Sequence, residues 1–130
     1  MVLVILLVLA LFVIQTMLPN RFREPAPEGP LKVALGPRDN PRPFTTTGER
    51  AARALSNMQE ALPVFLALAL LNLIAGTVAD FSITGAWIFF IARLVYVPAY
   101  LSGIPGLRTL VWSVSWIGLI LMIVPLTTKI

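Results

Sequence analysis

Long runs of apolar residues divide the chain into four blocks. The runs lack the alternation of apolar and polar residues that a strand of a membrane β-barrel would show. Each run is close to the length of about 20 residues that a helix needs to cross the hydrocarbon core. The second run is apolar from Ala61 to Gly76, and its helical pattern starts earlier, near Thr47. The predicted helices cover residues 2–18, 47–76, 83–101 and 108–126. We therefore expect an all-α fold, an integral membrane four-helix bundle in which residues 1–130 form a single domain.

The connection between the first two predicted helices, residues 19–46 and called loop 1 below, is rich in proline. Seven of the eleven prolines lie there: Pro19, Pro25, Pro27, Pro30, Pro37, Pro41 and Pro43. Because proline removes a backbone donor and fixes φ, we expect neither a helix nor a central strand in this loop. A connection of this length is a solvated linker or has a function, such as covering a site. Both interpretations stay open.

The ends of the second predicted helix carry recognisable signals. Thr46 or Thr47 is expected to cap its first amides, with Glu49 following, and Gly76 is expected to end it. Three prolines fall inside or near the ends of predicted helices, namely Pro63, Pro98 and Pro125. Helices in a membrane tolerate proline where neighbouring groups satisfy the freed carbonyls.

The distribution of basic residues predicts the orientation in the membrane. Loop 1 and the start of the second helix carry seven of them: Arg21, Arg23, Lys32, Arg38, Arg42, Arg50 and Arg53. The third connection has Arg108, and the second has none. By the positive-inside rule, loops 1 and 3 are cytoplasmic and both termini lie on the opposite side, with Lys129 as a weak exception. No basic residue precedes Arg21, so the first helix is interpreted as retained rather than as a cleaved signal.

Composition narrows the possible chemistry. Hydrophobic residues make up 58% of the chain and charged residues only 12%, so the lipid bilayer is the expected partner. The chain has no cysteine and no histidine. Disulfides, a protein thiol nucleophile and the commonest metal ligands are therefore excluded, and no metal site is predicted. The net charge of +4 is explained by topology, so no nucleic-acid partner is expected.

Polar residues at helical spacing interrupt two of the apolar runs. They are Arg53, Asn57 and Glu60 on the second helix, and Arg93, Tyr96 and Tyr100 on the third. Each trio occupies one helix face, and with Arg108 all are expected near the cytoplasmic side. Since charges within a membrane need a partner or a cavity, this layer is interpreted as a binding site for a polar, anionic ligand.

Structural explanations for these residues remain open. Arg93 and Glu60 could form a buried ion pair, Asn57 could make an interhelical hydrogen bond, and Arg108 could be a cytoplasmic anchor. The aromatic residues could instead belong to an interfacial belt: Tyr96, Tyr100, Trp112 and Trp116.

Two sequence strings resemble a known family. The second helix reads E-R-x-x-R-A-x-x-N-x-x-E-x-x-P-x-F from Glu49 to Phe65, and the third reads A-R-x-x-Y-x-x-x-Y from Ala92 to Tyr100. Both resemble the MAPEG family, the membrane-associated proteins in eicosanoid and glutathione metabolism. The resemblance implies a homotrimer with a glutathione site between subunits near the cytoplasmic face.

The resemblance also implies residue roles. Glutathione, as co-substrate, would be bound by Arg53, Asn57, Glu60, Arg93, Tyr96 and Tyr100. Arg108 would be the catalytic residue that stabilises the glutathione thiolate. The sequence departs from some members at Ser56, Tyr96 and Trp112, where those members have arginine, histidine and tyrosine.

The leading hypothesis is a membrane glutathione transferase-like or peroxidase-like enzyme acting on a lipophilic small-molecule electrophile. The alternative is a non-catalytic protein of the same fold, an accessory or lipid-binding subunit of a larger membrane complex. A small multidrug transporter is disfavoured, because the first helix carries no acidic residue and Glu60 lies among arginines.

Overall fold

The computed structural model describes residues 1–37 and 39–128. Arg38 and Lys129, both used in the orientation argument, lie outside the described residues. The helices are α1 (Val2–Arg21), α2 (Pro30–Leu35), α3 (Thr46–Ile74), α4 (Asp80–Ser102) and α5 (Leu107–Thr127). In this part of the chain, α1, α3, α4 and α5 are long and apolar enough to cross a membrane. The expected all-α four-helix bundle is confirmed.

Loop 1 contains a helix, so the prediction that it would have none is wrong. The short α2 starts with Pro30 in its first turn. Proline is favoured there because the first amides of a helix have no partner within the helix and φ is already helical. Likewise, α1 runs through Pro19 to Arg21 instead of ending near residue 18. Because proline has no amide hydrogen, Pro19 removes only one hydrogen bond from α1, and a neighbouring group can satisfy the carbonyl that is left without a donor.

Backbone hydrogen bonds hold the two ends of loop 1 together. The Thr45 amide donates to the Phe22 carbonyl at 2.9 Å, and Arg23 forms an isolated antiparallel bridge with Phe44. The Arg23 guanidinium carbon also lies 3.9 Å from the Phe44 ring centroid. Thr45, rather than Thr46 or Thr47, caps α3, because its Oγ1 accepts from the Gly48 amide at 3.2 Å. The end of α1 is thereby fastened to the start of α3.

The core of the bundle lies among all four long helices. Its fully buried members include Val8 of α1, Met58 and Phe65 of α3, Phe89 of α4 and Met122 of α5. The Phe65 and Phe89 rings stack with their centroids 4.6 Å apart. This stacking fixes α3 against α4 below the layer of polar residues.

The closest helix pair is α4 with α5, which meet at two glycines. A Cβ on Gly85 would collide with the Gly118 carbonyl oxygen, and a Cβ on Gly118 would collide with that of Gly85. Small residues let membrane helices approach to backbone contact. As a result, α5 is held in a defined position beside α4.

A buried polar cluster closes the bundle at the end opposite loop 1. The Asn72 side-chain amide donates to the carbonyls of Leu68 and Met122, both at 2.9 Å. Its Oδ1 accepts from Thr77 Oγ1 at 2.9 Å, and the Ser82 hydroxyl donates to the Thr77 carbonyl at 3.3 Å. Satisfied hydrogen bonds of this kind join α3, the following turn, α4 and α5.

Candidate functional site

A pocket of about 340 Å³ opens at the loop 1 end of the bundle, where α3 begins and α4 ends. Its lining residues come from α3, α4, α5 and the α4–α5 turn: Arg50, Arg53, Ala99, Tyr100, Gly103, Ile104, Pro105, Gly106, Arg108 and Thr109. Three of them are arginines, and among the described residues the lining has no carboxylate. Its size lies within the range of small-molecule sites, and its charge suits an anion.

The α4–α5 turn places Arg108 beside Tyr100. Arg108 is the second residue of α5, whose N-cap is Gly106 in the left-handed region with φ of 80°. Arg108 Nη1 donates to the Tyr100 hydroxyl at 3.3 Å, and its guanidinium carbon lies 5.4 Å from the Tyr100 ring centroid. Both side chains remain accessible from the pocket, so the guanidinium is free to contact a ligand.

Arg93 is buried deeper, with 1% of its surface exposed. Its Nη1 donates to Asn57 Oδ1 at 2.6 Å, which joins α4 to α3. Its guanidinium carbon lies 5.3 Å and 5.4 Å from the ring centroids of Phe89 and Tyr96. Within the described residues, Nε and Nη2 have no hydrogen-bond partner. The structure therefore pairs Arg93 with Asn57 in place of the ion pair with Glu60 that the sequence left open.

The structure separates the seven predicted site residues into three groups. Arg53, Tyr100 and Arg108 line the pocket. Asn57, Arg93 and Tyr96 lie deeper, and the Tyr96 ring packs edge-on against Tyr100 with centroids 5.5 Å apart. Glu60 is exposed on α3, outside the described pocket lining. The aromatic pair Trp112 and Trp116 is partly exposed on α5.

Two features of the pocket are not predicted by the sequence. Arg50 lies one turn before Arg53 in the same string of the second predicted helix, but it is not among the predicted site residues. Its Nη1 donates to the Leu101 carbonyl at 3.1 Å. The second is the turn from Gly103 to Gly106, in which both glycines have positive φ. The spacing Arg50-x-x-Arg53 was the available signal, because residues three apart share a helix face.

Loop 1 contributes no side chain to the described lining of the pocket. Instead it encloses a separate cavity of about 730 Å³, lined among others by Arg23, Lys32 and Arg42. The described part of loop 1 therefore forms no cover over the arginine-rich pocket of its own chain.

The bundle and its site define a multi-pass membrane protein with a cationic pocket at one end. A family model described as MAPEG family matches residues 1–127. The chain belongs to the MAPEG family, which includes glutathione transferases and other enzymes. A search of curated proteins finds no match.

Proposed function

We propose that the protein is a membrane glutathione transferase-like or peroxidase-like enzyme that activates glutathione as its thiolate. The observation that carries this proposal is the cationic pocket, in which Arg53, Tyr100 and Arg108 converge without a described carboxylate. Glutathione has two carboxylates, an ammonium group and a thiol, and members of the family commonly use it. Arginine binds carboxylates through paired hydrogen bonds, so the pocket suits one acidic end of glutathione.

The spacing of charges along α3 supports this ligand. Arg53 and Glu60 are seven residues apart on one face, which places them about 10 Å apart along the helix. An extended tripeptide spans about 10 Å. In this proposal Arg53 binds a carboxylate of glutathione and Glu60 binds its ammonium group. Asn57 lies between them, and Arg93 holds its amide in place.

Arg108 then has the catalytic role. A thiol with its ordinary pKa of about 8.5 is mostly protonated at neutral pH, and a nearby cation lowers that pKa. The thiol proton leaves to solvent. The thiolate sulfur then forms a bond to the electrophilic carbon of the second substrate while the bond from that carbon to its leaving group breaks, and the leaving group departs with the electron pair. Holding the two reactants together can supply several kcal/mol of the barrier reduction. We propose that the pocket faces the cytoplasm and that the electrophile is lipophilic and enters through the bilayer.

The exposed polar residues of α3 support assembly with further copies of the chain, and the family resemblance suggests three of them. Ser56, Gln59 and Glu60 are all exposed on a helix that is long and apolar enough to span a membrane. Facing them to hydrocarbon is costly, whereas a neighbouring subunit can cover them. In this arrangement the neighbouring copy would complete the glutathione site.

We expect the protein purified in mild detergent to have the mass of three subunits, measured by native mass spectrometry. Replacing Gln59 with arginine adds a charge to the proposed interface and should shift the mass towards one subunit. Lys32→Arg, on the exposed α2, serves as the control. A wild-type protein that stays monomeric at every concentration would contradict the trimer.

Binding of glutathione is the direct test of the function. We expect titration of glutathione into the solubilised protein at neutral pH to give a saturable ultraviolet signal from the thiolate. S-methylglutathione has the same charged groups but no ionisable thiol, so it should displace glutathione and abolish the signal.

One control variant and two outcomes of this titration decide between the hypotheses. Lys32→Met should leave the titration unchanged, because Lys32 lies outside the described pocket lining. Absence of saturable binding by both ligands would reject the enzyme and favour the accessory or lipid-binding subunit. Binding without a thiolate signal would reject the activation step alone.

A further inference from the structure

We infer that Arg50 is a positioning residue that fixes the α4–α5 turn and, through it, Arg108. Arg50 lies on α3 and contacts the backbone at the start of that turn. This positioning role rests on the proposed function only where it concerns the glutathione thiol.

The first observation is the hydrogen bond from Arg50 to the end of α4. Arg50 Nη1 donates to the Leu101 carbonyl at 3.1 Å. The last four carbonyls of a helix have no partner within it, and they carry the negative end of the helix dipole. Because α4 has no basic residue in its own last turn, α3 provides the cation. This contact ties the start of α3 to the end of α4.

The second observation is that the guanidinium lies against Gly103. A Cβ on Gly103 would come within 2.7–2.8 Å of Nη1, Cζ and Nη2 of Arg50. Gly103 has φ of 70°, and Gly106 has φ of 80°. Glycine is therefore required at position 103 for two reasons: the backbone there has a positive φ, and a side chain would collide with Arg50.

These contacts act directly on the segment that leads to Arg108. Arg108 follows Gly103 by five residues and reaches back to Tyr100 on α4. Arg50 binds the backbone at the start of this turn, and the hydrogen bond between Arg108 and Tyr100 joins the residue after the turn to α4. Movement of the turn would displace the guanidinium of Arg108 from the pocket, where a small displacement is costly for catalysis.

The test is backbone hydrogen exchange of the ligand-free protein, measured for peptides covering residues 103–110. Arg50→Met removes the charge and the hydrogen bond but keeps an unbranched side chain. It should speed exchange in this segment about tenfold, because a charge-assisted hydrogen bond is lost. Arg50→Lys should give an intermediate increase, since lysine keeps the charge but lacks the planar fork. Lys32→Met, at a position outside the described pocket lining, should leave exchange there unchanged.

The two glycines of the turn provide a matched pair. Alanine is strained at both positions, but only at Gly103 would its Cβ meet Arg50, whereas nothing lies within 4 Å at Gly106. We expect Gly103→Ala to increase exchange much less in the Arg50→Met background than in the wild type. Gly106→Ala should increase it by the same factor in both backgrounds.

A second readout connects the turn to chemistry. In Arg50→Lys, which keeps the charge in the pocket, the apparent pKa of the bound glutathione thiol should rise towards that of the free thiol, while the Kd of glutathione changes less than threefold. Exchange at wild-type rates in Arg50→Met would overturn the positioning role. The role would also be overturned if Arg50→Met changed the effects of Gly103→Ala and Gly106→Ala on exchange by the same factor. Faster exchange with an unchanged thiol pKa would overturn the link to Arg108. If glutathione does not bind, the proposed function fails, but the exchange rates still decide whether Arg50 holds the turn.

Discussion

Arg108→Ala is expected to abolish most of the thiolate signal of bound glutathione and to lower turnover roughly 100-fold at neutral pH. Without the guanidinium, the bound thiol returns towards its ordinary pKa of about 8.5. Each pKa unit corresponds to about 1.4 kcal/mol of lost thiolate stabilisation. The measurement is turnover as a function of pH, together with the ultraviolet absorbance of the thiolate.

The sign of the pH dependence distinguishes this role from simple binding. In the wild type the thiolate is already formed at neutral pH, so the rate should change little as the pH rises. In Arg108→Ala the rate should rise with pH up to about 8.5, because the thiol then ionises unaided. Arg108→Lys should retain part of the effect through its charge. If turnover and absorbance of Arg108→Ala match those of Lys32→Ala at every pH, Arg108 has no catalytic role.

The second large effect concerns the buried pair of Arg93 and Asn57. Asn57→Leu should lower the free energy of unfolding by about 3 kcal/mol, because it leaves a buried guanidinium without its hydrogen-bond partner. Arg93→Met removes the charge and should be neutral or stabilising, since apolar residues of similar volume often replace buried ions without loss. It should nevertheless weaken glutathione binding about tenfold, because the Asn57 amide loses its orienting partner.

The double variant makes this prediction specific. In the background of Arg93→Met, Asn57→Leu should cost less than about 1 kcal/mol, because no unpaired charge remains. Unfolding midpoints in detergent measure all three variants, and Lys32→Met, at an exposed position of α2, is the control. An equal cost of Asn57→Leu in both backgrounds would show that the uncompensated guanidinium is not the cause.

Local features of the sequence were sufficient for the membrane fold and the family. Hydropathy alone located the four spanning helices, because a bilayer requires about 20 apolar residues whatever the packing. The two strings on the second and third predicted helices led to the MAPEG family, which the match over residues 1–127 confirms. The structure contradicts the sequence-based predictions at element ends and in loop 1, where proline was interpreted only as a helix breaker although Pro30 starts α2.

Which residues of neighbouring helices contact one another depended on the tertiary structure. Helical spacing showed that Arg53, Asn57 and Glu60 share a face, but it could not show which neighbour each would meet. The choice of Asn57 over Glu60 as partner of Arg93 depends on how α3 and α4 are rotated against each other.

The sequence by itself determined the four spans, the family and the polar residue types, because these follow from local composition and spacing. Only the tertiary structure decided which of those residues form the pocket. The reason is that the contact of Arg50 with Gly103 and Leu101, across about fifty residues of chain, is set by helix packing and turn geometry. Neither the packing of the helices nor the geometry of the turn is encoded in the periodicity of any one helix.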